Sequence, residues 1–476
     1  MHRVSLAAAL AALALTACTV GPDYKRPSVE LPAAWPVSAG DAPVSARWWT
    51  LYADPQLNLM VEEALAHNND LRLAAARVDE ARAGLTIVRA DSLPNVTAGA
   101  GAARNRISER SGNFFPGIPT EFTDYQVSLR ASWEIDFWGR YRRATEAAKA
   151  DLLSSASARD AVQLSLIADV VRGYFVLRAL DAQVDITRRT IATWHESLDL
   201  QRLRYNTGEA SQLEYSQVEA ETAAAEALLP LLEQNQAQQE NALSVLLGRS
   251  PRAIMESGIE RGNALDALVL PPAVPAGLPS ELLQRRPDIY QAEQLLISSN
   301  AQIGVARAAY YPSVSLTGLF GFESEKLSNL VSAPARVWQF SASAAQTVFD
   351  AGRIGAQVDA ATARREQQLA SYQSTVQNAF REVKDALVAS RKSADRLTAE
   401  QTRVVALREA LRLAKLRYVS GESSLLDALD AERGLLTAEL DQVAAQRDRL
   451  AATADLFKAL GGGWDETATM PLASTQ

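Results

Sequence analysis

The chain has 476 residues and a net charge of −8; 47% of it is hydrophobic but only 7% is aromatic. An acidic chain of this kind is poorly suited to nucleic acid, and its single cysteine, Cys18, excludes an internal disulfide. His2, His67 and His195 are too scattered for a zinc site or a histidine-based triad. No catalytic constellation is visible, so neither an enzyme nor a bound cofactor is expected. Composition rich in Ala and charge instead suits long helices packed closely together.

The chain opens with Met1-His2-Arg3, followed by an apolar run over residues 4–15 that ends in Leu15-Thr16-Ala17-Cys18. The run is too short to span a bilayer comfortably and has the form of a signal-peptide core. Its ending resembles a bacterial lipobox. Residues 1–17 are therefore read as a signal peptide and Cys18 as the first mature residue, carrying covalent lipid; a plain signal peptide is the alternative. Thr19, where an Asp would mark inner-membrane retention, resembles the class sorted to the outer membrane. Residues 18–54 contain Pro22, Pro27, Pro32, Pro36 and Pro43 and are expected to form an extended tether. Trp48-Trp49 introduces the first folded element.

Residues 55–248 form a first repeat. Leu57, Met60, Val61, Leu65, Leu71, Leu73, Val78 and Leu85 recur at helical spacing, with a break at His67-Asn68-Asn69-Asp70. A short helix followed by a longer one is predicted, with His67 as a cap or surface residue. Over about residues 93–136 the period changes to two. Tyr125, Val127, Leu129, Ala131, Trp133 and Ile135 alternate with Gln126, Ser128, Arg130, Ser132 and Glu134, which predicts a strand with one apolar and one polar face. In a sandwich the apolar face would meet another sheet; in a membrane barrel it would face lipid. The interfacial aromatics Tyr125, Trp133, Phe137 and Trp138 fit the barrel. A helical hairpin over about residues 140–248 follows. Its first arm, to residue 205, holds no proline and only one glycine, Gly173, and by rise per residue would be roughly 95–100 Å long. The return arm contains Pro230.

Residues 249–279 are a Pro/Gly-rich linker, and residues 280–461 repeat the plan. Leu282-Leu283-Gln284-Arg285-Arg286-Pro287-Asp288-Ile289 opens a helix reaching about residue 310. A strand hairpin spans about residues 312–349 and a second helical hairpin about 353–461, leaving residues 462–476 as a tail. The tip Leu203-Arg204-Tyr205-Asn206-Thr207-Gly208-Glu209 returns as Leu416-Arg417-Tyr418-Val419-Ser420-Gly421-Glu422, identical at five of seven positions and 213 residues on (421 − 208). Arg140 and Arg353 share that offset, as do Gly248 and Gly461; Asp70 and Asp288, like Pro94 and Pro312, are 218 apart (288 − 70). The chain is internally duplicated, with a longer first strand loop. Four strands cannot close a barrel, so an apolar sheet of four requires further copies of the chain; three copies give twelve strands, an allowed size.

The lipobox at Cys18, Gly21-Pro22-Asp23-Tyr24-Lys25-Arg26-Pro27, Arg285-Arg286-Pro287-Asp288-Ile289 and the paired Arg-Tyr-x-x-Gly-Glu tips together resemble a TolC-like outer-membrane factor of the NodT lipoprotein branch, over essentially the whole chain. The resemblance implies a mainly α fold with a membrane β-barrel part: a homotrimer whose long helical hairpins form an α-barrel reaching into the periplasm and whose strands form a twelve-stranded barrel in the outer membrane of a Gram-negative bacterium. It implies a passive exit duct of a tripartite efflux pump for drugs or other small solutes, with a periplasmic adaptor and an inner-membrane transporter as partners. A protein-secretion duct is the alternative within transport, and a periplasmic coiled-coil scaffold without a pore is the alternative of another class. The resemblance assigns Arg204, Tyr205, Gly208, Arg417, Tyr418 and Gly421 to adaptor docking, and Asp427 and Asp430 to a periplasmic gate. The plainer readings are a glycine turn with a packed tyrosine, and a solvated acidic helix face. Glu214 and Gln217 stand at the matching positions of the first repeat, and Ser423 stands where some members carry a gate-latching arginine.

Overall fold

The periodicities above fold as helices and strands in the order they were read. The computed structural model describes residues 19–32, 46–110, 117, 119–272 and 279–462; Cys18, the signal peptide expected over residues 1–17 and the tail beyond 462 lie outside them. Helix α1 (Pro55–His67) and α2 (Asn69–Ala90) precede strands β1 (Asn95–Arg106) and β2 (Glu121–Ile135). Helices α3 (Arg140–Thr207) and α4 (Gln212–Leu246) form the first hairpin. The linker holds α5 (Pro251–Glu256), a helix the Pro/Gly pattern concealed, and then come α6 (Pro279–Arg285) and α7 (Pro287–Ala308). Strands β3 (Ser313–Ser324) and β4 (Arg336–Ala345) lead to the second hairpin, α8 (Arg353–Val419) and α9 (Leu425–Ala459). At 68 residues, α3 is roughly 100 Å long by its rise per residue. Pro230 lies inside α4, which continues through it.

One detail differs from the sequence reading, and for His67 the second of its two alternatives, a surface residue, holds. The helix expected from Leu282 to about residue 310 is two helices, because Pro287 supplies no backbone donor and disfavours helical backbone at Arg286. At the first break the cap is Asn68 and not His67: the Asn68 Oδ1 accepts from the Leu71 N–H at 3.0 Å, while its Nδ2 donates to the Leu246 carbonyl at 2.9 Å. His67 is exposed.

The chain forms two compact units, and each draws on both repeats. The first contains residues 77–156 and 291–373 with the described start of the chain up to Val29. Its sheet is antiparallel throughout, in the order β1-β2-β3-β4. The register aligns Ala98, Leu129, Phe320 and Trp338 across the four strands. Directly opposed residues share a face, so these and their neighbours two apart make one apolar face. On the other face the Ser315 and Ser343 hydroxyls hydrogen-bond at 2.9 Å and those of Thr317 and Ser341 at 2.7 Å. Trp338 is 67% exposed and Phe340 78%, so nothing among the described residues covers this part of the apolar face. Among the described residues no strand pairs with the outer edge of β1 or of β4. No described helix is long and apolar enough to cross a membrane.

Extended residues 19–29 lie on this same unit, held by a set of contacts the sequence reading did not foresee. The Val20 N–H donates to the Trp138 carbonyl at 3.0 Å and the Asn300 Nδ2 to the Pro22 carbonyl at 2.8 Å. Arg143 pairs with Asp23 at 2.6 Å. Arg26 meets the buried Glu293 with two bonds of 2.6 and 2.5 Å, and the Tyr24 hydroxyl donates to the same carboxylate at 3.0 Å. Burial first, and then the Glu293 carboxylate, hold the Tyr24 phenol well above its ordinary pKa, so it remains a donor. Gly21 has φ of +107°, and a side chain there would stand 2.5 Å from the Gly304 Cα; only glycine permits this approach.

The second unit contains residues 46–76, 157–290 and 374–462 among those described, together with 30–32. Its aromatic core is seeded by a 3-10 turn, Trp48–Tyr52. Trp48 stacks on Phe457 with centroids 4.9 Å apart, and Tyr52 meets the edge of Phe175 at 4.8 Å. Asp54 caps α1 through the Gln56 and Leu57 N–H groups and also accepts from the Tyr174 hydroxyl at 2.6 Å and the Asn263 N–H at 3.0 Å. A fully buried carboxylate with four donors fixes the linker against the first turn of α1. Arg286, freed from helix by Pro287, binds Asp288 at 2.6 Å, Glu382 at 2.8 Å and the Ala459 carbonyl at 3.0 Å. Burial opposes its charge, but the Asp288 and Glu382 carboxylates more than offset that and raise its pKa.

Candidate functional site

Both helical tips, in the second unit, close with the same backbone device. The Gly208 N–H donates to the Tyr205 carbonyl at 3.1 Å and the Glu209 N–H to the Arg204 carbonyl at 2.7 Å; Gly421 and Glu422 repeat this on Tyr418 and Arg417 at 3.0 and 2.8 Å. These paired bonds satisfy carbonyls that a helix end leaves open, and they need a left-handed residue at the turn. Gly208 supplies φ of +79° and Gly421 of +75°. The equal spacing of the two glycines is thus a conformational repeat as well as a sequence repeat.

The two tyrosines part company. Tyr205 stacks on Tyr215 within its own hairpin, with centroids 5.9 Å apart. Tyr418 instead reaches the other hairpin: its hydroxyl accepts from the Gln201 Nε2 at 2.8 Å and the Arg204 Nη1 at 3.2 Å, and the Arg204 guanidinium lies 5.9 Å from its ring centre. Val218, Leu425 and Leu429 form an apolar cluster beside it, joined by Leu198 and Tyr418. Both tyrosines therefore pack across their own hairpins, Tyr205 on Tyr215 and Tyr418 against the cluster that holds Leu425 and Leu429, but Tyr418 alone also bonds to the other hairpin. Arg417 is exposed and has no ion pair among the described residues; Leu416 and Val419 beside it in sequence, and Leu203 on the other tip, are exposed as well.

The acidic positions are unequal for a reason visible in local structure. In the first repeat the Ser211 hydroxyl accepts from the Glu214 N–H at 3.2 Å while the Glu214 carboxylate accepts from the Ser211 N–H at 2.7 Å. Glu214 is spent on this capping box, which the sequence signals as Ser-x-x-Glu. In the second repeat Ser424 makes no side-chain cap, and Asp427 at the matching position is exposed with no ion pair among the described residues. Asp430 is also exposed but pairs with Arg433 at 2.6 Å, and Arg433 reaches on to Glu221 of α4 at 3.1 Å. The two aspartates are therefore one free charge and one partly neutralised charge. Further along the same helix the buried Glu432 pairs with Lys415 at 2.6 Å. The Ser423 hydroxyl is buried and has no hydrogen-bond partner among the described residues.

The described residues contain no grouping of His, Cys, Asp and Glu that could hold a metal ion. The arrangement they do contain is a pair of long helical hairpins with tied tips, and a sheet with an uncovered apolar face.

Comparison with known proteins matches both the plan and the sequence. The family model described as outer membrane efflux protein matches residues 60–249 and 278–462. The toluene efflux pump outer membrane protein TtgC of Pseudomonas putida is 36% identical over 476 residues, covering 98% of this chain and 97% of the relative. The cation efflux system protein CusC of Escherichia coli is 34% identical over 462 residues, covering 96% and 98%. Among solved structures, the CmeC outer membrane channel of Campylobacter jejuni superimposes with a TM-score of 0.90 at 27% identity, covering 94% of this chain and 96% of that one.

Proposed function

The chain belongs to the outer membrane efflux protein family, and we propose that it works as a homotrimer, the exit duct of a tripartite pump that conducts small solutes passively out of the cell. The observation that carries the trimer is the four-stranded sheet with one apolar face and two open edges. In lipid every backbone polar group needs a partner, so the edges must be closed by other copies, and three copies make twelve strands. A periplasmic scaffold without a pore would have no use for such a sheet. An adaptor meets the two tips, where Arg417 and the exposed Leu203, Leu416 and Val419 offer a charged and apolar surface for helical hairpins. An inner-membrane transporter supplies the solute. Asp427 and Asp430 narrow and charge the mouth of the duct as rings of carboxylates. Lipid on Cys18, outside the described residues, is a second anchor beside the barrel.

Deleting the gene should raise steady-state accumulation of a fluorescent lipophilic dye in whole cells, and expressing the intact chain should restore export. Equal accumulation with and without the chain, across dyes of differing charge, would contradict an efflux role.

A further inference from the structure

The polar face of the sheet carries one charge that nothing among the described residues answers. Arg130 sits in the middle of β2 between Ser128 and Ser132, opposite Thr97 of β1 and Leu319 of β3. It is exposed, and no carboxylate pairs with it among the described residues. Polar surface here needs no charge for stability: the Ser315–Ser343 and Thr317–Ser341 pairs satisfy the face with hydroxyls alone. Three carboxylates share this face. Glu134 is occupied by Arg140 at 2.8 Å. Glu323 lies opposite Gln126, and Asp124 lies further along β2. At about 3.3 Å per residue their levels are roughly 13 Å and 20 Å from that of Arg130, farther than the screening length of about 8 Å at physiological salt. The field in the middle of the face is therefore that of Arg130.

Resting on the trimeric barrel proposed above, we infer that three Arg130 side chains form a positive ring in the lumen and set its charge preference, favouring solutes that carry a carboxylate or similar anionic group over small cations. The aromatic face turns to lipid, so the alternating residues turn to water, and an arginine ring in a narrow aqueous passage attracts anions.

The test is the reversal potential of the purified channel in planar bilayers under a potassium chloride gradient, with trimer formation checked by gel for each variant. Arg130→Ser should raise the potassium-to-chloride permeability ratio about twofold, the size expected for three screened charges in water. Arg130→Lys should leave the ratio where it was. Both are measured with native acidic tips and with the Asp427→Ala/Asp430→Ala pair, so that charge at the tips does not mask the effect; a rise in either background supports the ring. An unchanged or lowered ratio in both backgrounds overturns it, and an equal rise in Arg130→Lys assigns the effect to shape and overturns it too. Absence of any conductance from the unsubstituted protein would instead count against the channel itself.

Discussion

Replacing Arg286 with alanine should destabilise the fold by about 2–3 kcal/mol and sharply lower the amount of chain recovered from outer-membrane fractions. Arg286 is almost wholly buried and joins the carboxylates of Asp288 and Glu382 to the Ala459 carbonyl. Removing it strands two carboxylates and one helix-terminal carbonyl at once. The full cost of breaking a dry ion pair is about 3–5 kcal/mol; the estimate is lower because Asp288 and Glu382 keep partial contact with water. Arg286→Lys should recover only part of the loss, since an ammonium cannot grip Asp288 through two parallel bonds and reach Ala459 as well. Heat dissociation and yield of the membrane-inserted protein measure both. Alanine behaving like arginine would mean that the cluster is not a structural node.

Replacing Asp427 and Asp430 together with alanine should raise single-channel conductance severalfold in planar bilayers. The single substitutions should differ in a defined way. Asp427 has no ion pair among the described residues, so its loss removes a free negative charge. Loss of Asp430 also frees Arg433, which among the described residues keeps Glu221 as its one ion-pair partner, so negative charge is exchanged for positive character. Conductance should therefore increase more for Asp427→Ala than for Asp430→Ala, and Asp430→Ala should lower the potassium-to-chloride permeability ratio more. Conductance unchanged in the double variant would remove both residues from the constriction.

Much of the fold was legible because its signals are local and repeated. The tip glycines sit at a fixed offset, and both adopt the left-handed conformation that glycine alone enters freely. Alternation over residues 125–135 correctly divided β2 into an apolar and a polar face, since side chains in a strand have a period of two. What escaped was long-range. Nothing in the periodicity of α7 marks Glu293 as the buried anchor of Tyr24 and Arg26, which lie 269 and 267 residues away. The extent of β1 was hidden as well, because small residues such as Ala100, Gly101, Ala102 and Ala103 carry little strand signal, and its pairing with β2 is what extends it to Arg106. At the tips, sequence placed Tyr205 and Tyr418 as equivalents; the hydroxyl bonds of Tyr418 to Gln201 and Arg204 belong to the packing of one hairpin on the other and have no counterpart in a single helix.

The central claim is that the open sheet closes only between copies. The mass of the particle extracted from outer membranes in mild detergent, measured by native mass spectrometry, tests it most directly. Three copies per particle are expected, giving twelve strands and no free sheet edge. A stable membrane-inserted monomer or dimer would contradict the account.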